Sequence, residues 1–172
     1  MDLRSAVVVA TLALTLPGLT GCRSLTRLMT RKATEKALEE SSGAKEVTLE
    51  KDGVRFEGKE GEKVSIGGGA KLPDGWPAYA PIYPGAKLQM AIANPGQKAK
   101  IISMETGDAP DKALAFYKDK LTAEGWTVAT TLDLGDTHQT SFERPKSAGA
   151  TASVMATATE GAKTMVTVSI VE

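Results

Sequence analysis

The chain has 172 residues, of which 41% are hydrophobic and 24% are charged, and its 21 basic and 21 acidic side chains balance. A neutral chain lacks the basic surface by which proteins bind nucleic acid, so nucleic acid is not an expected partner. The length predicts one domain, or one domain with a small satellite. Aromatic residues make up only 5% of the chain, which predicts a core built mainly from aliphatic side chains and Met.

Residues 1–21 have the layout of a secretory signal peptide. Arg4 precedes an apolar run at residues 6–16, and a Pro-Gly pair then breaks that run ahead of small residues. Secretory signals carry an apolar segment of about 7–15 residues, whereas a membrane-spanning helix needs about 20. In the alternative interpretation the segment stays uncleaved in the membrane, and Cys22 is a small buried hydrophobic residue beside it. The short apolar run favours the signal peptide.

The only cysteine, Cys22, ends the sequence Leu19-Thr20-Gly21-Cys22. This motif resembles the lipobox of bacterial lipoproteins. The resemblance implies cleavage between Gly21 and Cys22, a diacylglycerol on the Cys22 thiol, and an acyl chain such as palmitate on the new amino terminus. It also implies the periplasmic face of the outer membrane, because Arg23 stands where an aspartate retains Gram-negative lipoproteins in the inner membrane. With its one cysteine lipidated, the mature chain has no disulfide and no thiolate metal site.

Residues 22–43 are predicted to form a lipid-anchored N-terminal helix, which covers residues 23–40 and stops at Gly43. Its apolar residues recur at helical spacing and are Leu25, Leu28, Met29, Ala33 and Ala37. Its first half carries basic residues without an acidic one, namely Arg23, Arg27, Arg31 and Lys32, and its second half carries Glu35, Glu39 and Glu40. Two interpretations stay open: an interfacial helix whose basic end contacts anionic lipid head groups, or a solvated spacer helix with charge pairs.

Residues 44–71 are predicted to form a small β-meander and a Gly-rich linker. Strands are expected at residues 46–50, 54–57 and 63–66, separated by turn sequences. Such a meander is marginally stable alone, so its apolar face is expected to rest on the preceding helix or on the main domain. The glycines at 67–69 lack the spacing of a phosphate-binding loop, and we interpret them as a flexible joint at the domain boundary.

The segment 72–86, LPDGWPAYAPIYPGA, contains four prolines. Proline fixes φ and removes a hydrogen-bond donor, so the segment is predicted to be extended and cannot be an interior strand. Its aromatic residues allow two interpretations. Trp76, Tyr79 and Tyr83, together with Trp126, form a candidate ligand or partner surface. Alternatively, the segment straps across its own domain and buries these rings.

Residues 72–172 are predicted to form an α+β domain with the order β-β-α-β-β-β-β, in which one helix packs on a face of an antiparallel sheet. The predicted strands are 87–93, 98–106, 126–134, 138–144, 151–159 and 163–171, and the predicted helix is 109–124. Asp108 is predicted to cap this helix and Gly125 to end it. The residues predicted to face the core are Leu88, Met90 and Ile92 of the first strand, and Ala113, Leu114, Tyr117 and Leu121 of the helix.

A second resemblance extends over residues 72–172. It rests on Leu72, Pro73, Pro81, Tyr83, Pro84, Gly85 and Ala86, and on FYKDKLTAEGW at residues 116–126. Together these segments resemble a domain that recurs in exported bacterial proteins of unknown function. The resemblance implies a fold and an exported location, and it implies no catalytic residue.

No motif for catalysis, a metal or a cofactor occurs in the sequence. His138 is the only histidine. Asp133, Asp136, Ser141 and Glu143 are its acidic and hydroxyl neighbours in sequence. Alternation along a strand sends adjacent side chains to opposite faces, which argues against a triad, and one histidine without a thiolate makes a poor transition-metal site. The sequence therefore predicts a protein that is not an enzyme.

Two function hypotheses remain. In the first, a non-catalytic lipoprotein of the cell envelope presents a small α+β interaction module to an envelope protein partner. In the second, the lipid-tethered domain binds a small ligand or glycan through its aromatic surface. Ring exposure separates them: buried rings favour the first hypothesis, and a shared concave cluster of rings favours the second.

Overall fold

Two helices and nine strands make up this computed structural model, which describes residues 23–145 and 149–172, with side chains from residue 30 onward. The helices are α1 (Arg23–Ser42) and α2 (Pro110–Ala123). The strands are β1 (Glu46–Leu49), β2 (Gly53–Glu57), β3 (Lys63–Gly67), β4 (Lys87–Asn94), β5 (Ala99–Thr106), β6 (Thr127–Leu134), β7 (Thr137–Glu143), β8 (Thr151–Thr159) and β9 (Lys163–Val171). The predicted α+β class with a mostly antiparallel sheet is confirmed. The signal segment 1–21 and the lipidation site Cys22 lie outside the described residues.

All nine strands of the described chain belong to one antiparallel sheet, in the order β1-β2-β3-β4-β5-β9-β8-β7-β6. After β5 the chain crosses the sheet through α2 and enters β6 at the far edge. Three hairpins then bring it back until β9 pairs with β5. The meander β1–β3 extends the same sheet, because β3 pairs with β4. The Gly-rich segment and the proline-rich segment therefore connect two neighbouring strands.

The core lies between one face of the sheet and α2. The helix buries Ala113, Tyr117 and Leu121 completely, as its predicted face requires, and keeps Leu114 half-buried against the same core. On the sheet side the packing residues are Ile102, Met104, Phe142, Val154, Val166 and Val168. We call this side of the sheet the covered face and the other side the open face. Within the described chain, α2 packs on β6–β9 and α1 packs on β1.

A bulge changes the face of strand β4. Leu88 lies opposite the core residue Met104, but the register shifts before Met90, which lies opposite Ser103. Ala91 then faces the core and is 3% exposed. The prediction that Leu88, Met90 and Ile92 share an inward face is therefore wrong. Strict alternation fails where an extra residue enters one strand of an antiparallel pair.

Helix α2 begins without the predicted side-chain cap. Its N-cap residue is Ala109, which makes no side-chain hydrogen bond, and Pro110 occupies the first turn. The Asp108 carboxylate instead accepts hydrogen bonds from Tyr83 Oη at 2.6 Å and from Lys112 Nζ at 2.9 Å. The prediction that Asp108 caps the helix is wrong, because a tyrosine from a distant segment occupies that carboxylate. At the other end Gly125 has φ of +84° and stops the helix as predicted.

Helix α1 lies along the outer edge of β1. The Val47 amide donates to Glu39 Oε1 at 3.0 Å, and the Leu49 amide donates to Glu35 Oε1 at 2.8 Å. These bonds satisfy two backbone donors that an edge strand otherwise leaves open. Leu38 is half-buried at this contact, whereas the predicted apolar positions Ala33 and Ala37 are exposed. Glutamates therefore attach this part of the helix to the sheet, and the side chains of Leu25, Leu28 and Met29 lie outside the described residues.

Candidate functional site

The proline-rich segment, residues 72–86, lies across the covered face and is held there by side chains. Tyr117 Oη donates to the carbonyl of Pro81 at 2.7 Å, and Trp76 Nε1 donates to the carbonyl of Ala80 at 2.6 Å. Ala80 is fully buried. A proline-rich segment does not pair as an interior strand, so its carbonyls have no donors from a neighbouring strand. The indole of Trp76 and the phenol of Tyr117 donate hydrogen bonds to two of these carbonyls instead. We call this segment the strap.

The four aromatic residues of the candidate surface are distributed between the core and its margin. Tyr83 is 4% exposed and Trp126 is 2% exposed, so neither ring is available at the surface. Trp76 and Tyr79 are half-buried and pack against the core, and the Tyr79 and Trp126 ring centroids lie 5.9 Å apart. The structure thus corresponds to the strap interpretation, since the rings fill the space between the strap, α2 and the sheet.

The Arg144 side chain lies over the outer side of this aromatic group. Its guanidinium carbon lies 5.8 Å from the Tyr79 ring centroid and 5.5 Å from the Trp126 ring centroid, a cation–π geometry. The same group donates to the carbonyl of Glu124 at 3.2 Å. Trp126 Nε1 is buried and has no hydrogen-bond partner among the residues that the structure describes. The ring cluster is therefore a packed unit rather than an open platform.

The tyrosine hydroxyls do not suit acid–base chemistry near neutral pH. Burial first, and then the hydrogen bond to Asp108, raise the pKa of Tyr83 to about 12. Burial also raises the pKa of Tyr79 and of Tyr117 above its ordinary range. The Tyr83 hydroxyl and the Lys112 ammonium lower the pKa of Asp108. These groups keep one protonation state across the physiological range, which suits a structural role.

A groove of about 770 Å³ opens on the covered face beside the strap, over strands β1–β5. Its floor contains the small side chains of Ser65, Ala91 and Ala93, and its wall is formed by Lys71 and the strap residues 72–74. The floor is recessed because β3 and β4 present small residues at neighbouring positions, with Ser65 opposite Ala91. The volume falls within the usual range of small-molecule sites, about 300–1,000 Å³.

Charged side chains of both signs surround the groove. Lys63 forms an ion pair with Asp74 at 3.2 Å, and Lys100 Nζ donates to the carbonyl of Gly75 at 2.7 Å. Lys71 and Lys98 line the groove without a side-chain hydrogen bond or ion pair to any described residue. The groove can therefore receive a polar ligand, with two lysines ready to bind an anionic group. The sequence analysis missed this site because its floor combines small residues from separate segments, which carry no local motif.

His138 lies between two carboxylates. Its Nδ1 is 3.5 Å from Asp111 Oδ1 of α2 and 3.6 Å from Asp133 Oδ2 of β6, and its side chain is 21% exposed. Asp133 is the cross-strand partner of His138, so the two side chains share a face, which alternation along a single strand does not reveal. Among the described residues, no group of His, Cys, Asp or Glu side chains is arranged to hold a metal ion. The cluster connects α2 to the β6–β7 hairpin.

A family model described as START domain-like matches residues 88–170. The match runs from β4 to β9 and includes α2, so the chain is similar to this family over these six strands and the helix that covers them. It leaves out α1, and it also leaves out the meander β1–β3 and the strap, which line much of the groove. No curated protein and no solved structure matched the chain.

Proposed function

We propose that this protein is a non-catalytic, lipid-anchored lipoprotein of the bacterial cell envelope that presents a small α+β interaction module at a membrane face. Its scaffold is an N-terminal helix and a β-meander followed by the order β-β-α-β-β-β-β. The module contacts the membrane through acylated Cys22 and offers its folded surface to an envelope protein partner. It has no cofactor and no nucleic-acid partner.

The observation that carries this proposal is the position of α1. The helix begins at Arg23, directly after the cysteine of the lipobox-like sequence, and Glu35 and Glu39 bind its other half to the sheet edge. From Arg23 to Glu35 a helix rises by about 18 Å, at about 1.5 Å per residue. A helix attached at both ends holds the domain at a defined distance from its lipid.

The strength of the anchor follows from chain chemistry. Each buried methylene contributes about 0.8 kcal/mol, and a single acyl chain binds a membrane only marginally. A diacylglycerol and a further acyl chain on Cys22 supply several chains and a stable attachment. By analogy with Gram-negative lipoproteins, Arg23 in place of aspartate supports a position of this anchor at the periplasmic face of the outer membrane.

The arrangement of the aromatic rings supports a protein partner for the module. Tyr83 and Trp126 stabilise the core, and Arg144 covers the Tyr79 and Trp126 rings. A sugar-binding site requires exposed rings in a shared concavity, and these rings do not provide one. The recognition surface of the proposed module consists of exposed strands, turns and charged side chains.

Substitution of the cysteine tests the proposal. The Cys22→Ser chain and the parent chain are expressed in a Gram-negative host, labelled with palmitate, and separated into membrane and soluble fractions. We expect the parent to take up label and stay with the membrane, and the variant to lose the label and leave the mature membrane-bound pool. A parent chain without label, or a variant still integrated as a labelled membrane protein, contradicts the proposal.

The groove favours a second candidate function, the binding of a small polar ligand by the tethered domain. Lys71 and Lys98 are its unengaged cations, so reversing both charges with Lys71→Glu and Lys98→Glu should release an anionic ligand. Lys118→Glu, on the exposed side of α2, is the matched control. Mass spectrometry of the small molecules that co-purify with each protein tests whether the groove binds such a ligand. A parent protein that carries none, or a ligand retained equally by both variants, contradicts this function.

A further inference from the structure

The two edges of the sheet differ, because one is covered by another element and the other is not. At one edge, α1 places the carboxylates of Glu35 and Glu39 on the outward amides of β1. At the other edge lies β6, and no described element covers its outer side. From this asymmetry we infer that β6 is a self-association surface, on which β6 of a second copy of this chain pairs in antiparallel orientation about a two-fold axis.

Strand β6 lacks most of the features that protect an edge. All eight of its residues, TVATTLDL, are exposed. Natural edges carry Lys, Pro, bulges or inward-pointing charges that prevent pairing with another chain. This strand has neither Lys nor Pro, and its protective features are the bulge near its start and the charge of Asp133 on the covered face. Its large apolar residues are among the most exposed of the described chain, with Leu132 at 47% and Leu134 at 71%. The strand therefore offers both open backbone groups and apolar side chains.

The hairpin geometry identifies the open backbone groups. Leu134 and Thr137 flank the two-residue turn, so they form a hydrogen-bonded pair. Hydrogen-bonded and non-hydrogen-bonded pairs alternate in an antiparallel ladder, so the N–H and C=O groups of Thr131 and Asp133 point away from β7. Toward the start of β6 a register shift between Val128 and Thr130 interrupts the ladder. Pairing with another chain is thus concentrated on residues 130–134.

Self-pairing has one favoured register. Centring the two-fold axis on Leu132 sets Leu132 against the partner's Leu132 and Thr131 against the partner's Asp133, with about four backbone hydrogen bonds. An axis on Asp133 opposes two carboxylates, which is destabilising. An axis on Thr131 extends the pairing into the bulged half of the strand. The Leu132 register therefore joins apolar side chains on the open face and separates the charges.

A second copy is the occupant because, among the strands that the structure describes, each chain has only one uncovered edge. Two chains that pair through β6 leave the α1-covered β1 strands outermost, so the assembly closes as a two-fold dimer instead of growing into a fibre. One strand pair buries less surface than the roughly 1,200 Å² of a stable interface, so the dimer is weak in solution. Attachment of both copies to one membrane strengthens it; the geometry itself does not depend on the lipid anchor.

Disulfide capture tests the register. In full-length chains carrying Cys22→Ser, Leu132→Cys provides the only thiol, and it lies on the axis opposite its own copy. Met155→Cys is the matched control, because Met155 is 37% exposed on the same open face but two strands inside the edge. Under mild oxidation we expect a covalent dimer from Leu132→Cys and little from Met155→Cys. A monomeric Leu132→Cys protein, or equal dimer from both, overturns the inference.

A proline substitution tests the backbone contacts without a thiol. Thr131→Pro removes an outward amide that takes no part in the β6–β7 ladder, so the fold is retained, which circular dichroism checks. The loss of two symmetric hydrogen bonds should weaken dimerisation by roughly tenfold or more, measured by sedimentation equilibrium. Unchanged self-association of Thr131→Pro overturns the inference. The Cys22→Ser protein carries no acyl chain. If it dimerises, the β6 surface therefore acts independently of the proposed lipid anchor.

Discussion

The three tyrosines of the chain show how single residues hold the strap in place. Tyr83 and Tyr117 are buried, Tyr79 is half-buried, and each hydroxyl makes a hydrogen bond, to Asp108, Pro81 and Glu172 in turn. A buried hydroxyl without a partner costs about 1–3 kcal/mol, so these bonds decide where each ring can lie. The polar end of each ring fixes the position of a segment that has few backbone bonds of its own.

We expect these tyrosines to resist ionisation. Burial raises the pKa of all three, to about 12 for Tyr83. Because the folded pKa is higher than the ordinary value of about 10, their contribution to stability is complete below about pH 10 and is lost as pH rises through the folded pKa. Ultraviolet absorbance should show little tyrosinate in the folded protein at about pH 10.5, and much more in urea. Equal absorbance in both solvents contradicts this assignment.

Leu121 and Asp119 provide a matched pair on α2. Leu121 is fully buried against the sheet, and Asp119 is exposed on the opposite side of the helix. Leu121→Ala should lower the free energy of unfolding by about 2–5 kcal/mol, because it leaves a cavity in the core. Asp119→Ala should change it by no more than about 0.5 kcal/mol. Denaturant titration of both variants measures the difference, and equal midpoints would refute the packing of this helix.

At the residue scale, the sequence predicted those structural features that depend only on residues nearby in the chain. The spacing of Ala113, Tyr117 and Leu121 indicated the buried side of α2 correctly, because one helix determines that pattern. The faces of Met90 and Ile92 were mispredicted, since a bulge reverses them without a local signal. The partner of Asp108 was also missed, since Tyr83 reaches it from 25 residues away in the chain.

At the scale of elements, the pairing of α1 with β1 depends on matching repeats. Four residues of a helix advance by about 6 Å, and two residues of a strand advance by about 6.6 Å. Glu35 and Glu39 can therefore meet the amides of Leu49 and Val47 together. The Leu49 amide is the main cause that lowers the pKa of Glu35. Since this folded pKa is depressed, the contact is complete above the ordinary glutamate pKa and weakens as pH falls through the lowered value.

Removing both carboxylates should release the helix from the edge. In the variant with Glu35→Ala and Glu39→Ala, the Val47 and Leu49 amides lose their acceptors, and we expect their hydrogen exchange to accelerate by on the order of tenfold or more. Glu40→Ala is the control, because Glu40 is exposed on the same helix. Amide exchange followed by NMR gives the rates. Unchanged protection of both amides in the double variant would mean that α1 is held by other contacts.

The sequence indicated the character of the strap but not its position. Four prolines predicted an extended segment that is not an interior strand. Its place on the covered face depends on Tyr117 of α2 and on the sheet, which are distant in sequence. The groove depends in turn on the strap wall and on small residues of β3 and β4. A site assembled from segments that meet only after folding leaves no motif in the sequence.

At the scale of the whole molecule, all the described strands join in one continuous sheet, yet the main core is confined to part of the chain. Every residue of the principal core cluster falls between Ala80 and Ile170. The meander β1–β3 adds strands to the sheet edge and contributes Val47 as a separate buried residue. The strand order could not be predicted from the sequence, because the insertion of β9 between β5 and β8 depends on pairing between the two ends of the domain.

A fragment of residues 72–172 should therefore fold by itself. It retains the strap, α2, six strands and the whole core cluster. It loses the β3–β4 pairing, which leaves β4 as an open edge, and the ion pair between Lys63 and Asp74. We expect a single cooperative thermal transition by circular dichroism, at a lower midpoint than that of the longer chain. A broad transition would show that the meander is an essential part of the domain and that residue 71 is not its boundary.

We propose that lipid on Cys22 anchors this α+β domain to a membrane. Mass spectrometry of the amino-terminal peptide, taken from the protein extracted from bacterial membranes, tests it most directly. We expect a chain that begins at Cys22, with a diacylglycerol on its sulfur and an acyl chain on its amino group. A membrane-extracted chain that retains residues 1–21, or that begins with an unmodified Cys22, would contradict it.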